Sequence, residues 1–377
     1  MAKVQVSPSV LEWARERAGV PSEVITERFK RYPKWLEGED GPTFNQIEGL
    51  ARFLNLPMGM LFLPEPPEEV LPLPDFRRMS DGATLRPSTE LIDTIHTCQR
   101  RQTWYRNYLA GLGADVLGFV GSASEEDRPA VVAGQIRSIL SLGIGSRAGF
   151  ANWSAFLRHL IAQARKAGIL VMVNGVVGNN THRALNPREF RGFAISDSLA
   201  PLVFINGADT KAGQIFTMAH ELAHVWLGKA GISNSAADDL PEDGAPDQNV
   251  ERFCNAVAAE VLVPLSQLGT MELPEKIDAA KAELARAFRV STLVALRRLK
   301  DLGRLSYEEF QEAYDEELHH LKELERRNRN SSTGGDFYAT MDTRVDPQFA
   351  LAVISTTLEG QTLVGDALEE RLKNLAL

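Results

Sequence analysis

Residues 220 to 224 read His-Glu-Leu-Ala-His, inside the segment GQIFTMAHELAHVWLG that runs from Gly213 to Gly228. The segment holds no proline and closes on a glycine suited to a helix C-terminus, so it predicts a helix. On a helix, side chains four apart share one face with Cβ atoms roughly 5–6 Å apart, so His220 and His224 can reach one ion. Zinc accepts imidazole and carboxylate ligands and, in catalytic sites, keeps its fourth position open. Glu221, next in sequence to the first histidine, is then placed to act as general base towards a water at that position. The chemistry expected of such a set is metal-assisted hydrolysis of a peptide bond.

A third ligand is expected downstream. The helical run VERFCNAVAAEVLVP carries Glu251 and Asn255 on one face and Glu260 on the other. Nine residues at about 100° each turn roughly half a circle, so only one of these faces can meet the histidines. Glu251 is the expected ligand, Asn255 its neighbour supporting a ligand from behind, and Glu260 a surface or structural carboxylate. His182, in NNTHRALNPREF, is read as a loop residue that stabilises a tetrahedral oxyanion. Pro201, Leu202, Val203, Phe204 and Ile205 are read as an exposed edge strand to which an extended substrate adds by backbone pairing. The acidic stretch holding Asp238, Asp239, Glu242, Asp243 and Asp247 reads as a solvated loop.

The elements that must position these residues follow from periodicity. Ahead of the histidine helix, 169–177, 191–196 and 201–205 alternate with period two and predict short strands separated by Asn, Gly and Asp turns. Helices are predicted over 88–112, 128–141, 153–167, 250–262, 284–303 and 306–326. Residues 328–335 read as a loop, and the tail from Asp336 as a small capping unit with a final helix around 365–375. Residues 7–63 form a compact helical unit by the same pattern, followed by five prolines between Pro64 and Pro74 that suit an extended connector. The expected fold is α+β and mostly helical. Its expected divisions are a helix-turn-helix-like bundle at 1–66, a proline-rich linker at 67–87, a zincin-like domain with a helical lead-in and a small sheet at 88–270, a helical, helix-turn-helix-like region at 271–330, and a small C-terminal unit at 331–377.

Composition narrows the function classes. The 377 residues carry a net charge of -9 and a pI near 5.4, which argues against coating nucleic acid through a general basic surface. Two cysteines, Cys98 and Cys254, lie far apart in helical patterns and support no disulfide framework. The opening MAKVQVSPSV lacks a basic segment followed by an apolar run, and no apolar stretch approaches the roughly 18 residues of a membrane span. A cytoplasmic location with no membrane partner is the expectation.

Taken together, RGFAISDSLAPLVFINGADTKAGQIFTMAHELAHVWLG followed by ERFCNAVAAEVLVP resembles the ImmA/IrrE family of bacterial metallopeptidases, over roughly residues 160 to 265. The run LARAFRVSTLVALRRLKDLGRLS also fits longer family members. The N-terminal unit resembles the Xre-type helix-turn-helix domain often fused ahead of such peptidases. The resemblance implies zinc held by His220, His224 and Glu251, a catalytic Glu221, and cleavage of a partner transcriptional repressor in a stress or mobile-element circuit. The N-terminal unit departs from the Xre pattern. It is shorter before Trp35, Pro33 falls where a recognition helix should lie, and Lys30, Arg31 and Lys34 are balanced by Glu37, Glu39 and Asp40. A docking or regulatory role is therefore preferred over DNA reading there. Two alternatives stay open at this point: a DNA-binding transcriptional regulator with a non-proteolytic zinc site, and the toxin component of a toxin-antitoxin pair.

Overall fold

A computed structural model describes residues 3–68, 73–74, 87–143, 147, 149–233, 246–328 and 344–360. The chain divides into two compact units, one formed by Met1–Pro72 with Leu85–Asp93, the other by Leu73–Thr84 with Thr94–Leu377.

In the first unit, helices α1 (Pro8–Arg17), α2 (Ser22–Arg28), α3 (Tyr32–Leu36) and α4 (Phe44–Phe53) precede a 3-10 turn, Met58–Phe62. Their apolar stripes meet in one core holding Val10, Leu11, Ile25, Trp35, Ile47 and Leu61. Thr43 opens α4 with a capping box closed by Gln46, which satisfies two backbone donors that the helix itself leaves bare. Tyr32 is buried and donates its hydroxyl to the Leu11 carbonyl at 2.8 Å. Pro33 sits in the first turn of α3, a helix of only five residues, where no intrahelical N–H bond is lost.

The second unit is built on a four-stranded sheet of β1 (Leu170–Asn174), β4 (Gly192–Ile195), β5 (Leu202–Asn206) and β6 (Gly231–Ser233), in the order β1-β5-β4-β6. β1 and β5 are parallel; β4 runs antiparallel to both its neighbours. A separate hairpin, β2 (Val176–Val177) with β3 (Asn180–Ala184), follows β1. The sheet is buried on both faces. Val171, Val173, Ala194, Val203 and Ile205 point into the larger core, while Phe193 and Phe204 stack on the opposite face at 4.9 Å between ring centres.

Of helices α5 (Thr89–Gly111), α6 (Pro129–Ile139), α7 (Trp153–Lys166), α8 (Lys211–Leu227) and α9 (Pro246–Leu262), α7 and α8 pack on that sheet, α6 and α9 pack on α8, and Cys98 of α5 meets Met172 of β1. α8 lies against β4, β5, α6, α7 and α9. Beyond the short α10 (Leu265–Leu268) come α11 (Ile277–Phe288), α12 (Thr292–Asp301) and α13 (Tyr307–Asn328). The helix expected over 284–303 is thus two helices, parted where Arg289 takes a left-handed conformation (φ 56°) and Ser291 caps the second. A further helix, α14 (Pro347–Leu358), was not anticipated, although Asp346-Pro347 is a helix-start signal. The acidic residues Asp238, Asp239, Glu242 and Asp243 and the helix expected over 365–375 lie outside the described residues.

Glu260 proves structural. It is paired with Arg298 at 2.5 Å, while the Arg298 Nε donates to the Val263 carbonyl at 2.9 Å and Arg147 donates to the Val261 carbonyl. Arg137 also donates to the backbone oxygen of Glu260. Guanidinium groups therefore cap the carbonyl end of α9, where the helix dipole favours positive charge. Arg298→Ala would strand a nearly buried carboxylate and is expected to destabilise the protein by about 3–5 kcal/mol. Urea unfolding checks this; an unchanged midpoint would show that Glu260 relaxes into water.

Candidate metal centre

The local sequence sets α8 in place at both ends. At its start, Thr210 accepts the Gly213 N–H at 3.1 Å. A side chain at Gly213 would come within 2.3 Å of the Asp209 carboxylate, which itself pairs with Arg191 at 3.2 Å. At its end, Gly228 takes φ 68° and returns the Gly228 and Lys229 N–H groups to the Val225 and His224 carbonyls. The segment before α6 crosses there too: Gly121 donates to Val225 O at 3.1 Å and Ala123 to Trp226 O at 2.9 Å. Every residue from Gln214 to Leu227 is buried.

With α8 seated, His220 and His224 project from consecutive turns towards Glu251 on the facing α9. The two Nε2 atoms are 3.1 Å apart; Glu251 Oε1 lies 3.0 Å from His224 Nε2 and Oε2 lies 3.3 Å from His220 Nε2. These three residues could hold a metal ion, and among the described residues no other such group of His, Cys, Asp and Glu occurs. Asn255, one turn beyond Glu251, accepts a hydrogen bond from His220 Nδ1 at 3.0 Å. That contact leaves the Nε2 lone pair of His220 aimed at the cluster. Glu221 is fully buried beside them, and Ser233 on β6 donates to its Oε1 at 2.5 Å. Its Oε2 has no hydrogen-bond partner among the described residues.

Burial and charge oppose each other here. Burial disfavours a proton on His220, but Glu251 more than offsets it and, with Glu221 and Asn255, lifts the imidazole to about 9 in the metal-free protein. Burial pushes Glu251 up, yet the two histidines hold it well below the ordinary carboxylate range. Glu221 is pushed up by its burial, an effect that the neighbouring histidines only partly reverse.

The other anticipated residues fare differently. His182 lies not on a loop but on the exposed strand β3, and its side chain makes no hydrogen bond among the described residues. The reading of Pro201, Leu202, Val203, Phe204 and Ile205 as an exposed edge is corrected: β5 sits between β1 and β4, its strand residues buried and its backbone paired on both sides. The strand beside Glu221 is β6. Arg191 donates to Ser233 O across the β4–β6 ladder, so the intervening Ile232 N–H faces the other way, where the Pro74 carbonyl accepts it at 2.9 Å. Ser233 and Gly192 are site residues that spacing did not reveal, because a strand and its partner meet the helix only after folding.

Residues 164–300 match the peptidase M78 family model, described as the IrrE N-terminal-like domain. Over 101 residues the chain is 34% identical to the radiation response metalloprotease IrrE of Deinococcus radiodurans, a match covering 26% of this chain. It spans 31% of the length of that relative. The four-stranded sheet, α8, α9 and the whole donor cluster fall inside residues 164–300, the segment that is similar to the IrrE N-terminal-like domain.

Proposed function

We propose that the protein is a zinc-dependent endopeptidase that cuts a partner transcriptional repressor and so relieves repression in a stress or mobile-element response. The observation that carries this reading is the meeting of His220, His224 and Glu251 with a second buried carboxylate, Glu221, that is not part of the donor triangle. A purely structural metal site has no use for that fourth group.

The donor set fits zinc. Bonds of roughly 2.0–2.2 Å in tetrahedral geometry place ligand atoms about 3.3–3.6 Å apart, and the observed separations of 3.0–3.3 Å lie within a few tenths of an ångström of this. Zinc supplies Lewis acidity, polarising a scissile carbonyl and making water a nucleophile near neutral pH. The chain's own residues do the rest: Asn255 orients His220, burial keeps bulk water away, and Glu221 Oε2 accepts a proton and passes it to the leaving amine. The outward edge of β6 is the natural place for an extended peptide, which would have to displace Leu73–Pro74 from Ile232. The N-terminal unit serves docking better than DNA reading, since α3 has five residues and buries Tyr32 and Trp35.

The test is co-expression with the repressor encoded beside it, followed by intact mass. One cut made by the wild type supports the peptidase and identifies its bond. An uncut repressor with zinc bound moves the weight to a DNA-binding regulator, read by salt-dependent DNA retardation, or to a toxin, read by growth arrest that a neighbouring gene relieves.

A further inference from the structure

Glu221 is gripped through one oxygen. Ser233 Oγ donates to Oε1 at 2.5 Å, and both side chains are buried. Directly across the β4–β6 ladder from Ser233 stands Gly192. A Cβ there would lie 3.0 Å from Glu221 Oε1, 2.5 Å from Thr217 Cγ2 and 2.8 Å from the Phe204 carbonyl oxygen. The last is backbone of a central strand and cannot give way. Thr217 is one helical turn before Glu221 on the same face of α8, so that face rests on bare main chain at Gly192. The other carboxylate oxygen, Oε2, is buried without a hydrogen-bond partner among the described residues.

We propose that Ser233 and Gly192 act as a brace on the catalytic carboxylate: the serine hydroxyl pins Oε1, the missing side chain at Gly192 lets the helix approach, and Oε2 alone is left to carry the proton. Both are positioning residues, and the inference rests on the peptidase reading of the site. The physical need is plain. The terminal torsion of a glutamate is broad, so an unpinned carboxylate samples many orientations. Misplacing a reacting group by about 1 Å can cost on the order of 100-fold in rate. Ser233 touches none of His220, His224 and Glu251 through the hydrogen bonds that join the cluster, so its loss should spare the metal.

The experiment compares zinc-loaded full-length wild type, Ser233→Ala, Ser233→Thr and Gly192→Ala by zinc content, cleavage of the co-expressed repressor and crystal structure. Ser233→Ala is expected to keep its zinc and its KM, to lose roughly 10- to 100-fold in kcat, and to show the Glu221 carboxylate rotated from its wild-type orientation. Ser233→Thr, which keeps the hydroxyl, should recover most of the rate. Gly192→Ala should shift α8 away from β4 and lower kcat, with zinc retained. A Ser233→Ala protein with wild-type kcat, or with Glu221 unmoved in its crystal structure, would overturn the brace. If the wild type cuts nothing, the peptidase reading fails on its own, and the carboxylate orientation in the two crystal structures still decides whether Ser233 sets it.

Discussion

Glu221→Gln is expected to keep a full complement of zinc while cleavage falls by about 10²–10⁴-fold, the usual contribution of a general base. The amide has the size and shape of the carboxylate, and its oxygen can still accept the Ser233 hydroxyl, so packing around α8 should persist. What it lacks is basicity: an amide cannot take a proton at neutral pH. The three donors are other residues, so the metal should stay. Stability gives an independent sign. Burial raises the Glu221 pKa, so this group costs the folded protein stability as pH rises from the ordinary carboxylate value towards the folded one, and the cost levels off above it. A neutral amide removes the cost, and the metal-free variant should melt no lower than wild type. Metal analysis, intact mass of the substrate and a thermal melt read all three. Undiminished cleavage by this variant would rule out Glu221 as the base.

The second large effect concerns Glu251. Without metal, its carboxylate is the partner of the His220 and His224 imidazoles in a wholly buried cluster. Glu251→Ala should abolish cleavage by removing a ligand, and should also destabilise the metal-free protein by about 3–5 kcal/mol, because it strands a buried partner. Urea unfolding in the presence of a chelator measures the second effect apart from the first. The same cluster makes metal uptake pH-dependent. Burial opposes a proton on His220, but Glu251 outweighs it, and with a value of about 9 the imidazole is protonated at neutral pH until a metal displaces that proton. Zinc affinity should therefore climb with pH up to about 9 and weaken as pH falls, with proton release on binding. The sign for folding is opposite. A histidine with a raised pKa stabilises the metal-free fold fully below its unfolded value and loses that contribution as pH rises towards about 9. Competition titrations at several pH values test the first; a flat affinity profile would mean that His220 is neutral before the metal arrives.

Much of the site is readable from local sequence, because a helix imposes its own geometry. Four-residue spacing is enough to bring His220 and His224 to one face, and the 100° step is enough to separate Glu251 and Asn255 from Glu260. Gly228, read as the end of that helix, does adopt the left-handed conformation that ends it. Such features depend on neighbours a few residues away, so composition and period suffice. Strands behave otherwise. Period two reveals that Leu202 to Asn206 is extended, but the identity of the strands on either side is decided by pairing between distant segments, and this placed β5 inside the sheet. For the same reason nothing in the spacing marks Ser233, whose role follows from β6 returning beside α8, or Gly192, whose importance is the backbone it leaves bare. Asp346 is a third case. Fully buried, it caps α14 while accepting the Val171 N–H at 2.9 Å and the Arg165 guanidinium at 2.8 Å, contacts that span some 175 residues. The sequence alone determined the chemical types and helical spacing of the donors. The tertiary structure alone decided what braces them, because a backbone hydrogen bond or a close approach between remote segments leaves no local period to read.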